Sequence, residues 1–228
     1  MTPLHTDRTY EEQLGQLRTA ILEMGGLVED QIAQAIRALV ERDEALARAT
    51  VARDPTVNRL DVEIDDLCIK ILALRQPAAR DLRLITTALK VTTDLERIGD
   101  EAEHIAERAL ELFAEPQIKP YIDIPRMADL ARDMLHRSLD AFVREDAELA
   151  LSVWRGDDAI DKLHEQLFRE LLSFMVEDPR TISRAMRLLF VSKALERIAD
   201  HATNIAEMVI FLVRGSSIRH MDTVPRVL

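Results

Sequence analysis

The chain has 228 residues, with 41 acidic against 30 basic side chains and a formal charge of −11. That length suits one large domain or two small ones with a self-sufficient core, the single Cys68 excludes a disulfide scaffold, and the negative balance opposes binding to a phosphate backbone. No stretch longer than six residues lacks Asp, Glu, Lys or Arg, and the opening MTPLHTDRTYEEQ has no apolar signal core, so the sequence predicts a cytoplasmic chain without a membrane span.

Aromatic residues make up only 4%, and Gly and Pro number only 6 and 8, which is the composition of long helices. The expected fold class is all-α. Leu14, Leu17, Ile21, Met24, Val28, Ile32, Ala35 and Leu39 follow steps of three and four, predicting a first helix over residues 8–42, locally weakened by Gly25 and Gly26. Asp43 can cap the next helix. Asp54-Pro55 reads as an N-cap followed by proline at the first helical position, so the second helix is kinked or split there before continuing to Leu74. Gln76-Pro77 then turns the chain into a third helix ending near Ala114. Residues 115–123, EPQIKPYID, hold two prolines and no helical period, and form the expected linker.

The same pattern then returns: a helix over 124–145, another over 146–177 broken at Gly156-Asp157, a turn at Asp178-Pro179, and a last helix to Arg214, followed by a tail over 215–228. At an offset of 100, Leu89–Glu107 matches Leu189–Glu207 at eleven of nineteen positions. Earlier in each half the offset is 103, pairing Asp43 with Asp146, Asp54 with Asp157 and Leu60 with Leu163. The identities share one register and include polar residues, so composition alone does not account for them. Two three-helix units, 8–114 and 124–214, related by duplication, are therefore predicted.

Glu96 and Asp100 are four apart on the third helix, as are Glu196 and Asp200 on the last, so each pair shares a face. Asp157 and Asp161 repeat the spacing near a helix start, where the first half has Asp54 and Asn58. Residues equidistant from a tight turn between antiparallel helices lie level, because both helices rise by about 1.5 Å per residue. Asp54 and Asp100, and Asn58 and Glu96, are equidistant from Pro77; Asp157 and Asp200, and Asp161 and Glu196, are equidistant from the turn between Asp178 and Pro179. Each hairpin thus gathers an acidic cluster. Such a set stays ionised only if compensated, and all-oxygen donors select hard cations or iron. The competing reading is neutralisation by Arg53, Arg97, Arg155 and Arg197, each next to a motif acid, or screening by solvent. Asn58 supplies a neutral oxygen in place of a charged one, so the second cluster is expected to bind the tighter.

Glu101-x-x-His104 is the pattern of carboxylate-bridged di-iron bundles, but the second half has no counterpart, and a ferritin-like oxidoreductase is only an alternative. His5, His136, His164 and His220 have no ligand spacing. The chain contains no G-x-x-x-x-G-K, G-x-S-x-G or C-x-x-C motif, leaving nucleotide, acyl-transfer and thiol chemistry unsupported.

Through LERIGD, LERIADHATNIAE, the turn LALRQPAARDLR and the two Asp-containing helix starts, the chain resembles the PhoU family of bacterial phosphate-uptake regulators over residues 10–215. The resemblance implies two three-helix bundles with metal at Glu96, Asp100, Glu196, Asp200, Asp157, Asp161 and Asp54, the ion being Fe, Mn, Mg or Zn. It implies a non-enzymatic regulator that contacts the ATPase subunit of the phosphate ABC importer and its sensor histidine kinase, reaching the membrane only through those partners; the wide helix faces of long bundles lead to the expectation of a homodimer, and the net charge to that of no nucleic-acid binding. A metal-free helical adaptor is the other alternative. Ala194 stands opposite Asp94, and Thr181-Ile182-Ser183 opposite Asp81-Leu82-Arg83, so the halves are not exact copies.

Overall fold

The computed structural model describes residues 4–156, 158–216 and 218, the first four of them for backbone only. Among these, all regular structure is helical: α1 (Leu4–Glu41), α2 (Glu44–Val51), α3 (Asp54–Arg75), α4 (Ala79–Leu112), α5 (Asp123–Arg144), α6 (Ala147–Trp154), α7 (Asp158–Glu177), a short 3₁₀ turn (Pro179–Thr181) and α8 (Ile182–Arg214). The eight periodic apolar positions of α1 are all buried. Cys68 is fully buried on α3, and burial pushes its thiol up to about 12, leaving it an inert small core residue.

The predicted splits occur where the caps demand them. Asp43 accepts a hydrogen bond from the Leu46 amide and Asp146 from those of Glu148 and Leu149, starting α2 and α6. One assignment differs. Asp54 is the first helical residue of α3, with Arg53 at the N-cap position and no side-chain cap bond. Pro55 fixes the first turn, and the Asp54 carboxylate, not spent on capping, remains available to face α4.

The hairpins α3/α4 and α7/α8 each receive a third long helix, α1 and α5 respectively. The two halves then pack along α4 and α8, and the buried apolar residues of both form one continuous core. These helices run antiparallel: Asp94 meets His201, Glu101 meets Arg197, and Glu111 meets Arg187. The LERIGD/LERIAD difference also has a packing reason. A Cβ on Gly99 would lie 3.3 Å from Val57 Cγ1 and 3.6 Å from the buried Gln31 amide oxygen, so α1 and α3 approach α4 closely there.

Arg42 was not singled out by sequence patterning, yet it anchors the irregular 113–122 segment. Its backbone takes the left-handed conformation (φ 57°) that ends α1. Its guanidinium donates to the carbonyls of Phe113 (2.6 Å) and Glu115 (2.9 Å) and lies 5.6 Å over the Phe113 ring. It thereby satisfies carbonyls at the C-terminus of α4, where the helix dipole favours a cation. Arg42→Ala is expected to lower stability by about 2 kcal/mol, or a Tm drop of roughly 4–8 °C, in thermal melts. A change under 1 °C would show that the anchor contributes nothing net.

Candidate functional site

Within the first hairpin, Asp54 sits near Glu96 and Asp100, as the level-matching of α3 and α4 requires. Partial burial first, then neighbouring acidic charge, holds the carboxyls of Glu96, Asp100 and Glu103 above their ordinary range, and Asp54 contributes to all three. Burial and Asp65 do the same to Asp61. Asn58 donates its amide to one Asp54 oxygen at 2.6 Å; the other, Oδ1, is buried and has no hydrogen-bond partner. Arg97 offers partial compensation, with Nε 3.5 Å from Glu96 Oε2.

The second hairpin gathers Asp161, Glu196 and Asp200, and the Asp161 and Asp200 carboxyls are again raised by burial and by their acidic neighbours, Glu196 first. Asp157, predicted as the fourth member, lies outside the described residues. Two further side chains enter this site. Lys193 Nζ is 2.6 Å from Glu196 Oε2. His164 Nε2 lies 3.8 Å from the same oxygen, its other ring nitrogen 2.9 Å from Ser192 Oγ. His164 had no ligand spacing within its own helix. The level-matching rule applied to every polar residue, rather than to acids alone, would have found it opposite Lys193.

Among the described residues no three His, Cys, Asp or Glu side chains are placed as ligands of a single ion. One Asp54 oxygen accepts from Asn58 instead, and Glu196 pairs with the Lys193 ammonium by charge while its Oε2, also buried, has no hydrogen-bond partner. The donor chemistry still fits a hard cation, because a buried carboxylate oxygen without a partner faces other carboxyls whose ionisation is opposed by their surroundings. Glu101-His104, by contrast, is a weak pair at 3.8 Å, and Glu101 is engaged by Arg197 of α8 at 3.0 Å.

A PhoU domain model matches residues 21–109 and again 124–209, one match within each half of the repeat. The chain belongs to the PhoU family. It is 46% identical over 218 residues to the phosphate-specific transport system accessory protein PhoU homolog of Pseudomonas putida, covering 95% of this chain and 85% of that protein. Its fold is similar to the crystal structure of PhoU from Pseudomonas aeruginosa, with a TM-score of 0.88 and 45% identity over 91% of this chain and all of that one. The crystal structure of the phosphate transport system regulatory protein PhoU from Streptococcus pneumoniae gives a TM-score of 0.85 at 28% identity, over 92% and 99% of the two chains. As a PhoU accessory protein the chain is not an enzyme, which removes the oxidoreductase alternative. No helix among the described residues is long and apolar enough to cross a membrane.

Proposed function

We propose that the chain restrains phosphate uptake and phosphate-starvation signalling when phosphate is plentiful, through contacts with the ATPase subunit of the phosphate importer and with its sensor histidine kinase. The observation that carries this reading is similarity, over 95% of the chain, to accessory proteins of the phosphate-specific transport system. It works in the cytoplasm as a homodimer and reaches the membrane through its partners. Divalent or iron cations held by Asp54, Glu96 and Asp100, and by Asp157, Asp161, Glu196 and Asp200, offset the acidic charge that the two hairpins concentrate. The partnerless Asp54 Oδ1 supports that role at the first cluster.

Deleting the gene is expected to switch on phosphate-starvation genes at high phosphate, and complementation with this chain to silence them. A normal response in the deletion strain would refute the regulatory reading. Co-purification with the importer ATPase and with the kinase checks the contacts separately. Dialysis against Mn²⁺ followed by elemental analysis tests the metal: lower retention in the Asp54→Ala/Asp100→Ala double variant, by the first cluster's share, is expected, and equal retention would refute that site.

A further inference from the structure

His164 stands at the second acidic cluster, and its hydrogen bonds fix which ring nitrogen carries the proton. Ser192, fully buried on α8, gives its one hydroxyl proton to the Leu189 carbonyl at 3.0 Å. The same oxygen lies 2.9 Å from His164 Nδ1, so there it accepts, and the imidazole donates from Nδ1. A neutral ring with its proton on Nδ1 presents a bare lone pair on Nε2. That nitrogen lies 3.8 Å from Glu196 Oε2, a buried carboxylate oxygen with no hydrogen-bond partner. Lys193 approaches the same oxygen by charge, without the geometry of a hydrogen bond. Two acceptors thus face one another across a gap that two metal–ligand bonds of about 2.1 Å each would span.

The duplication supplies an internal control. At the offset of 103 the first half has Asp61 where the second has His164, and the charge of Asp61 reaches Glu96 as the His164 ring reaches Glu196. Thr92 takes the place of Ser192 and also donates one turn back, to the Ala88 carbonyl at 2.9 Å. The hydroxyl back-bond is therefore common to both halves, and the first packs without an imidazole at this position. In the second half the remaining lone pair of the hydroxyl receives a ring N–H. A buried acceptor behind the far nitrogen is the device that orients a metal-binding histidine and raises its basicity.

We infer that His164 is a nitrogen ligand, through Nε2, of the cation at the second cluster, with Glu196 beside it and Ser192 behind it as the positioning residue. The inference rests on the metal reading of the acidic clusters proposed above. Asp161 and Asp200, whose carboxyls already feel the charge of Glu196, supply further oxygens by side-chain rotation. The two halves then differ in chemistry. The first cluster offers oxygen donors alone and suits Mg²⁺ or Mn²⁺, whereas an imidazole in the second shifts its preference towards Zn²⁺ and Fe²⁺.

The probes are Zn²⁺ and Mg²⁺, each titrated calorimetrically into the full-length chain carrying Asp54→Ala and Asp100→Ala to silence the first cluster. His164→Gln is expected to lower the ratio of Zn²⁺ to Mg²⁺ affinity by about tenfold or more. Long-range ¹H–¹⁵N spectra of the histidine rings give a readout independent of affinity. They should show the His164 proton on Nδ1 in the metal-free chain, and a displaced Nε2 resonance on addition of Zn²⁺. Ser192→Ala should leave the ring in a mixture of tautomers and lower the affinity ratio by a smaller factor. Circular dichroism monitors folding, and His164→Asp, the residue of the first half, replaces His164→Gln if the latter does not fold. An unchanged affinity ratio in a folded His164 variant overturns the inference while leaving cation binding by the carboxylates intact. So does a ring that keeps a proton on Nε2 in the presence of saturating Zn²⁺. Failure of both cations to bind at the second cluster overturns the inference and the metal reading of that cluster together.

Discussion

Asp100→Asn is expected to raise the melting temperature of the metal-free chain and to remove the first cluster's share of the stabilisation that Mn²⁺ gives the wild type. Both directions follow from one fact: the Asp100 carboxyl is held above its ordinary range by burial and by Asp54. A carboxyl raised in the folded state makes a contribution that is fully present below the unfolded pKa of about 4 and is lost as pH rises through the higher folded value. At neutral pH the folded chain therefore bears the repulsion, and a neutral amide of the same shape relieves it. The expected change is a rise, at about 2–4 °C for each 1 kcal/mol of repulsion relieved in a chain of this length. Added cation relieves the same repulsion in the wild type, by about 2.7 kcal/mol at a hundredfold excess over Kd, or roughly 5–10 °C. In an Asp161→Asn background, which weakens the second cluster, Asp100→Asn should retain less than half of that gain. Melts with and without Mn²⁺, and from neutral pH down towards the carboxylate range, check each sign. A destabilised metal-free variant with an undiminished Mn²⁺ response would defeat the account.

Much of this was legible in the sequence because helices encode it redundantly. The apolar stripe of α1, the capping aspartates Asp43 and Asp146 and the proline turns each mark the same boundaries, and the repeat doubles every signal. Level-matching across the hairpins placed Asp54 beside Asp100, and Asp161 beside Glu196, because antiparallel helices share one rise per residue. What escaped was long-range or dependent on side-chain reach. Arg42 crosses to the end of α4, a partner about seventy positions away that no local pattern encodes. Asp54 looked like a cap since Asp-Pro at a helix start usually reads so, but Arg53 holds that position. The α4/α8 packing was also invisible, because the side chains that meet across it, Asp94 with His201 and Glu101 with Arg197, lie about a hundred positions apart and no local pattern pairs them.

Reach also changes the expected order of the two clusters. Asp161 keeps the charge that Asn58 gives up, and by that count the second cluster should bind cations the more tightly. The structure adds Lys193, whose ammonium is 2.6 Å from Glu196 Oε2; the first half has Thr93 at that position, and its cation, Arg97, stands farther off, 3.5 Å from Glu96 Oε2. An ammonium at a ligand oxygen competes with a metal for it and repels the ion besides, which at an intermediate effective dielectric offsets about one carboxylate. Lys193→Met keeps the aliphatic stem, removes the charge, and is expected to tighten Mn²⁺ binding at the second cluster by about tenfold, equivalent to ~1.4 kcal/mol. Asn58→Asp should tighten the first by a similar factor, and Asp161→Asn should weaken the second. The readout is metal occupancy by calorimetry. If Lys193→Met leaves occupancy unchanged while Asp161→Asn reduces it, Lys193 points away from the ion in the loaded protein, and charge count alone sets the order.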